Sequence, residues 1–233
     1  GALTSRGSLG RRAGGGRGGL NYPQGGPAGG REALKAGPRE GVIMNARPAT
    51  TYPVIGVRYR RALLPGRFQP FHLGHLHAVR YALSLSRELV IAITAAQYCY
   101  TPENPFTAGE RVEMIRLALG ELYSRCYLVP IDNVANNALW LRHLSLRTPS
   151  FEAVFTNNEL VRMLAELEGY RVEPIPLLKR EAYEGRVIRK LMTEGGGWRD
   201  LVPKEVAEFL DRIRAEERLR RLARTEPIPL PER

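Results

Sequence analysis

Arg61-Ala62-Leu63-Leu64-Pro65-Gly66-Arg67-Phe68-Gln69-Pro70-Phe71-His72-Leu73-Gly74-His75-Leu76-His77 is the stretch on which the reading of this chain turns. A short apolar run, Ala62-Leu63-Leu64, gives way to a Gly/Pro turn, and His75–Ser86 then places Leu76, Val79, Ala82 and Leu83 on one helical face. Strand, turn and helix start in that order bring backbone N–H groups and the positive end of a helix together, which is an anion-binding arrangement. Gly66 and Gly74 allow close approach of the backbone, and Pro70 stiffens the entry. Arg67 is a candidate for bidentate grip on phosphate, and His72 and His75 for donation to phosphate oxygens. No carboxylate or cysteine stands near at ligand spacing, so the His pair is not read as a zinc site. His77, on the emerging helix, is read as structural.

Working outward, the pattern alternates. Strands are expected over Arg61–Leu64, Glu88–Thr94, Cys126–Ile131, Ala153–Phe155 and Arg171–Glu173. Helices are expected over His75–Ser86, Thr107–Leu119, Trp140–Leu146, Leu160–Glu168 and Pro203–Ala223, the second opening on a Thr107…Glu110 capping box. Alternation of this kind implies an α/β fold: a Rossmann-like, doubly wound parallel sheet with helices on both faces and a C-terminal helical segment. Ligands of such sheets sit beyond the carboxyl ends of the strands, where residues 66–75 fall.

Charge is unevenly spread. The formal net charge is +11, but residues 1–61 hold 11 Lys/Arg against 2 Asp/Glu, which leaves 24 against 22 for the rest. Residues 1–41 also hold 14 of the 24 glycines. A segment so poor in apolar residues cannot offset its ordering entropy, so 1–51 is expected to be a disordered Gly/Arg-rich extension, 52–225 one folded domain, and 226–233 a disordered tail. The extension is an RNA-binding arm, a solvated extension, or the product of a misassigned start, with Met44 then the initiator. Cys99 and Cys126 are too few for a disulfide framework, no apolar run is long enough for a membrane span, and the first residues carry no apolar h-region and so are not read as a secretory signal; the expected setting is cytoplasmic.

The stretch Gly66–His75 resembles the His-x-Gly-His loop of the nucleotidylyltransferase superfamily, in the form typical of archaeal nicotinamide-mononucleotide adenylyltransferases. The resemblance continues, in order and with few gaps, over roughly residues 60–225. Ala96-Gln97 and Asn104-Pro105-Phe106-Thr107-Ala108-Gly109-Glu110-Arg111 are similar to the family's second block, and Asn137-Ala138-Leu139-Trp140 to its nicotinamide-binding block. Asn158 with Leu160-Val161 falls where the family has Gly-Asn-Pro-Leu-Val, and Tyr183-Glu184-Gly185-Arg186-Val187-Ile188-Arg189 where it has Tyr-Ser-Gly-Thr-x-Ile-Arg. Two departures stand out: Glu184 and Arg186 replace a Ser and a Thr that help hold the ATP phosphates, and Thr156-Asn157 replaces Ser-Gly. Asn157 is expected either to narrow the pocket or to occupy a positive-φ turn.

The resemblance implies transfer of AMP from ATP to nicotinamide mononucleotide, with Mg²⁺ accompanying the ATP and an assembly of several copies, commonly a hexamer. The catalytic set it implies is His72, His75, Arg67 and Arg189. Gly66, Phe68, Gln69, Gly74, Gln97, Phe106, Asn137, Trp140, Asn158 and Ile188 are the implied binding residues. Trp140 is the flat face for the nicotinamide ring, Asn137 a contact for its carboxamide or ribose, and Phe106 either a pocket wall or a staple for the helix it precedes. Arg111 is either near ligand or part of a solvated charged face with Glu110 and Glu113. The His-x-Gly-His motif alone is shared with enzymes acting on other phosphorylated acceptors such as flavin mononucleotide, and a non-catalytic RNA-associated protein using the Gly/Arg extension is the alternative from another class.

Overall fold

The computed structural model describes residues 56–176 and 183–225. The chain divides into two units, Gly1–Arg47 and Pro48–Arg233, and every described residue belongs to the second. The expected extension over 1–51, Met44 and the tail over 226–233 lie outside the described residues.

Five strands form one sheet: β1 (Tyr59–Gly66), β2 (Ser86–Ile93), β3 (Cys126–Pro130), β4 (Ala153–Phe155) and β5 (Arg171–Glu173). Their order is β3-β2-β1-β4-β5 and every pairing is parallel, with Leu63 opposite both Val90 and Val154. Because side chains alternate across a strand, neighbouring residues enter different cores. Ala62, Leu64, Leu89, Ile91, Ile93, Ala153 and Phe155 join one cluster, while Leu63, Val90, Ala92 and Val154 join the other. The fold is therefore the expected α/β Rossmann-like sheet, covered on both faces. The five residues Leu89–Ile93 are wholly buried, which explains why β2 reads as a continuous apolar run rather than an alternating one.

Helices α1 (Leu73–Leu85) and α2 (Ala108–Leu119) cover the first face, and α3 (Trp140–Ser145) and α4 (Glu159–Leu167) the second. The capping box at Thr107 is present: its hydroxyl accepts from Glu110 N at 3.1 Å, and the Glu110 carboxylate accepts from Thr107 N at 2.9 Å. A further helix, α5 (Gly185–Glu194), lies where only a motif was recognised. It ends on Gly195 at φ 78°, a left-handed position that glycine occupies without strain.

The expected single helix over Pro203–Ala223 is two, α6 (Lys204–Arg212) and α7 (Ala215–Leu222). Arg214 sits at φ 54°, ψ 48° between them. No Gly or Pro marks that break in the sequence; it turns Val206 and Leu210 of α6 and Leu219 of α7 onto the same core, and burial outweighs the cost of one left-handed residue. Trp198 is fully buried beneath α7, its indole N–H donating to Glu216 at 2.7 Å. Among the described residues no helix is long and apolar enough to cross a membrane.

Candidate active site

Strand order reverses between β1 and β4, so the crevice of this sheet opens between the loops that follow them. An open groove of about 580 Å³ lies there, lined by His72, Gly74 and His75 from the first loop and α1, Asn157 and Asn158 from the second, and Ile175 and Tyr183 nearby.

His72 is the N-cap of α1 and His75 its third residue. Each Nδ1 accepts the other's backbone N–H at 3.3 Å, a capping box made of two imidazoles. A nitrogen that accepts carries no proton, so both rings hold their proton on Nε2 and present it as a donor. The rings stack with centroids 3.5 Å apart at 20°, and Phe68 and Phe71 pack against His75 at 4.8 and 5.5 Å. Burial pushes the His72 imidazole down to about 3. Burial, and then the neighbouring His72, holds His75 well below its ordinary value. The pair is neutral at physiological pH and needs no protonation to donate.

Glycine is required twice here. A Cβ on Gly66 would lie 2.7 Å from the Phe68 ring, and one on Gly74 would lie 2.9 Å from Tyr183 Cβ and 3.1 Å from His72 Nδ1. Phe68 itself adopts φ 53° and is buried, so it shapes the loop from behind.

Two guanidiniums belong to the loop that leads into the histidines, Arg67 within it and Arg189 bonded to it. Arg189, on α5, donates to Gln69 O at 2.7 Å and Pro102 O at 3.1 Å, which fixes it across the mouth of the loop. Burial lowers its proton affinity, and the positive charge of Arg67 lowers it further, so the two cations act on one another. Arg67 is exposed. Neither of the two lines the groove itself.

Arg111 is neither a ligand contact nor part of a solvated face. It is fully buried, and its guanidinium donates to the carbonyls of Arg67 (3.0 Å), Thr94 (2.9 Å), Ala95 (3.2 Å), Ala96 (3.4 Å) and Thr107 (3.3 Å). Burial drives its proton affinity down. The strands simply end here with carbonyls converging, and one five-donor fork satisfies them.

The family model described as cytidylyltransferase-like matches residues 63–191, from β1 through the His loop to α5. The chain belongs to that family. Among its relatives within the family, the nicotinamide-nucleotide adenylyltransferase of Saccharolobus solfataricus is 43% identical over 169 residues, which are 71% of this chain and 98% of the relative. Those of Methanothrix thermoacetophila and Pyrococcus furiosus are 45% and 43% identical over 166 and 168 residues; 71% and 70% of this chain is aligned to 97% and 89% of theirs. The crystal structure of a bifunctional NMN adenylyltransferase/ADP ribose pyrophosphatase from Francisella tularensis shares the fold, with TM-score 0.60 at 18% identity over 70% of this chain and 52% of that one. A second structure of that protein is complexed with AMP and a manganese ion.

Against this cytidylyltransferase-like frame, the remaining expected binding residues divide. Phe106 and Ile188 are fully buried core residues, and neither lines the groove. Gln69 is also buried: its amide donates to Phe106 O at 2.9 Å and accepts from Phe106 N at 3.0 Å. Gln97 makes the same two-point clamp on Asn133, at 3.1 and 2.9 Å. Asn158 caps α4 through Val161 N at 3.1 Å and lines the groove. Asn137 is exposed, and Trp140 is half-buried with its indole N–H on Asn133 Oδ1 at 3.4 Å.

Asn133 goes unread in the sequence, and Arg111 and Asn157 have other expected roles than the backbone clamps they make. Asn157 is not at positive φ; it clamps Ile175, donating to its carbonyl at 2.8 Å and accepting from its N–H at 2.9 Å. An Asn or Gln just past a strand end is the only sequence trace such clamps leave. Glu184, at the N-cap of α5, makes no capping bond and is 3.8 Å from Arg186, whose side chain is 85% exposed. That pair is too open to weigh much in stability.

Proposed function

We infer that this chain is a nicotinamide-nucleotide adenylyltransferase: it transfers AMP from ATP to the 5′-phosphate of nicotinamide mononucleotide, giving NAD and pyrophosphate. The observation that carries this reading is the His72–His75 pair, whose Nδ1 atoms are taken up by each other's backbone N–H and which lines a groove at the switch point of a sheet whose relatives bear that name. An acceptor phosphate with its second pKa near ~6 is already anionic at neutral pH, so its attack on the α-phosphorus needs no general base. One P–O bond forms as the bond to pyrophosphate breaks, and the work left to the protein is positioning and charge stabilisation. His72 and His75 donate to the α-phosphate, whose oxygens gain charge in the displacement. Arg67 and Arg189 hold the phosphate chain that departs. Trp140 offers its face to the nicotinamide ring, with Asn137 beside it.

Among the described residues no group of three or more His, Cys, Asp or Glu forms a metal cage. The groove lining includes the Glu159 and Glu184 carboxylates, which together with the nucleotide's own phosphates would suit Mg²⁺ arriving with ATP. Bound there, the ion would neutralise phosphate charge. A cytoplasmic setting and an assembly of several copies belong to the same reading, the latter open to light scattering.

The deciding experiment is pyrophosphate release by the purified chain with ATP and Mg²⁺, with and without nicotinamide mononucleotide. Acceptor-dependent release with NAD as product is the expected result; release dependent on flavin mononucleotide instead would reassign the acceptor.

A further inference from the structure

The sheet splits the site into two halves. The His loop follows the central strand β1; β2 and β3 lie on one side of it, β4 and β5 on the other. Gln97, Asn133 and Trp140 belong to the β2–β3 side, and Asn157, Ile175 and Pro176 to the β4–β5 side. A reaction that joins two nucleotides through their phosphates needs two nucleoside seats meeting at one phosphate loop. With Trp140 facing the pyridine ring, as the reading above has it, adenosine falls to the β4–β5 side.

Each half is built around one carboxamide that imitates a strand partner, donating to a carbonyl and accepting from the N–H of the same residue. Gln97 holds Asn133 in this way. Asn133 in turn accepts from Ala95 N at 3.2 Å and from the Trp140 indole at 3.4 Å, so the orientation of that ring depends on a residue whose backbone Gln97 fixes. Asn157 holds Ile175, and the next carbonyl, that of Pro176, accepts from His77 Nε2 on α1 at 3.0 Å. Residues 175–176 are thereby tied at both ends and form a fixed wall of the groove, which Asn157, Ile175 and Pro176 all line.

We propose that Gln97 and Asn157 are positioning residues with separate clients: Gln97 sets the seat of the pyridine nucleotide, and Asn157 sets the seat of ATP. Neither touches a reacting atom. Each acts through the backbone it clamps, so the two seats are tuned independently. The inference rests on the adenylyltransferase reading and deepens it.

The test is a matrix of two variants against two substrates. Gln97→Met and Asn157→Leu keep side-chain bulk and delete both hydrogen bonds. Asn157→Leu is expected to raise KM for ATP on the order of fivefold, with KM for nicotinamide mononucleotide within about twofold and kcat little changed, since an exposed two-point clamp contributes at the low end of hydrogen-bond energies. Gln97→Met is expected to do the reverse, and to shift the concentration of mononucleotide that quenches Trp140 fluorescence. Both variants are first checked for native melting. Parallel changes in both KM values, no change in either, or the opposite assignment overturns the proposal. Calorimetric titration of ATP alone reads the Asn157 arm without turnover, so a wild-type protein that binds ATP but fails to use nicotinamide mononucleotide overturns the acceptor assignment and leaves the Asn157 arm readable.

Discussion

His72 and His75 fix each other's protonation: each Nδ1 takes the other's backbone N–H, so each ring must donate from Nε2. Replacing His75 removes half of the capping box and, on the adenylyltransferase reading, one donor to the reacting phosphate. His75→Ala is expected to lower kcat/KM by about 10²- to 10³-fold, the usual effect of losing one such donor. The accompanying stability loss should be only about 1 kcal/mol, from the cap. Pyrophosphate release and a urea melt separate the two effects.

The same burial makes the pair sensitive to acid. His72 has its proton affinity depressed to about 3 in the folded chain, from an ordinary 6.5. Between those values the unfolded chain binds more protons than the folded one, so stability is full above pH ~6.5 and falls as pH drops toward 3. His72→Asn keeps an N-cap acceptor but cannot titrate there. Its unfolding free energy should decline less steeply below pH 6.5 than that of the wild type, by denaturant melts across the window.

The positive charge of Arg67 disfavours that of Arg189, so an anion bound between them, as the adenylyltransferase reading has it, would relieve the repulsion. Pyrophosphate should raise the melting temperature of the free protein; at 100 times its Kd the gain is about 2.7 kcal/mol. Arg67→Ala should lose most of that shift while melting normally without the ligand. An equal shift in the variant would place the anion elsewhere.

Arg111 joins the loops after β1 and β2 by donating to five carbonyls from a fully buried position. Arg111→Met orphans those acceptors and is expected to cost about 2–4 kcal/mol. Arg111→Lys restores the charge but not the planar fork, and should recover stability only in part. Denaturant unfolding of both variants checks the order.

Trp198 is fully buried and bonded to Glu216, whereas Trp140 is half-buried beside the proposed pyridine seat. Quenching of intrinsic fluorescence by nicotinamide mononucleotide should therefore vanish in Trp140→Phe and persist in Trp198→Phe. Quenching that survives in Trp140→Phe would move the ring elsewhere.

Local pattern was enough for the sheet, the helices on both its faces, the Thr107 capping box and the position of the His loop at the ligand edge, because those features are set by alternation and by contacts three or four residues apart. It was enough, too, for the resemblance that led to the family. What the sequence alone did not decide are arrangements closed over long separations. Gln69 and Phe106 are 37 residues apart, Gln97 and Asn133 36, and Asn157 and Ile175 18. The α6–α7 break at Arg214 is local in the chain, yet only the shared core makes that left-handed residue worthwhile. Arg111 illustrates the same point: in sequence it is one charge on a helical turn, and only convergent strand ends give it four of the five carbonyls it holds. Secondary structure follows from each residue's own neighbours along the chain, while the geometry of this site depends on which loops the finished sheet brings side by side.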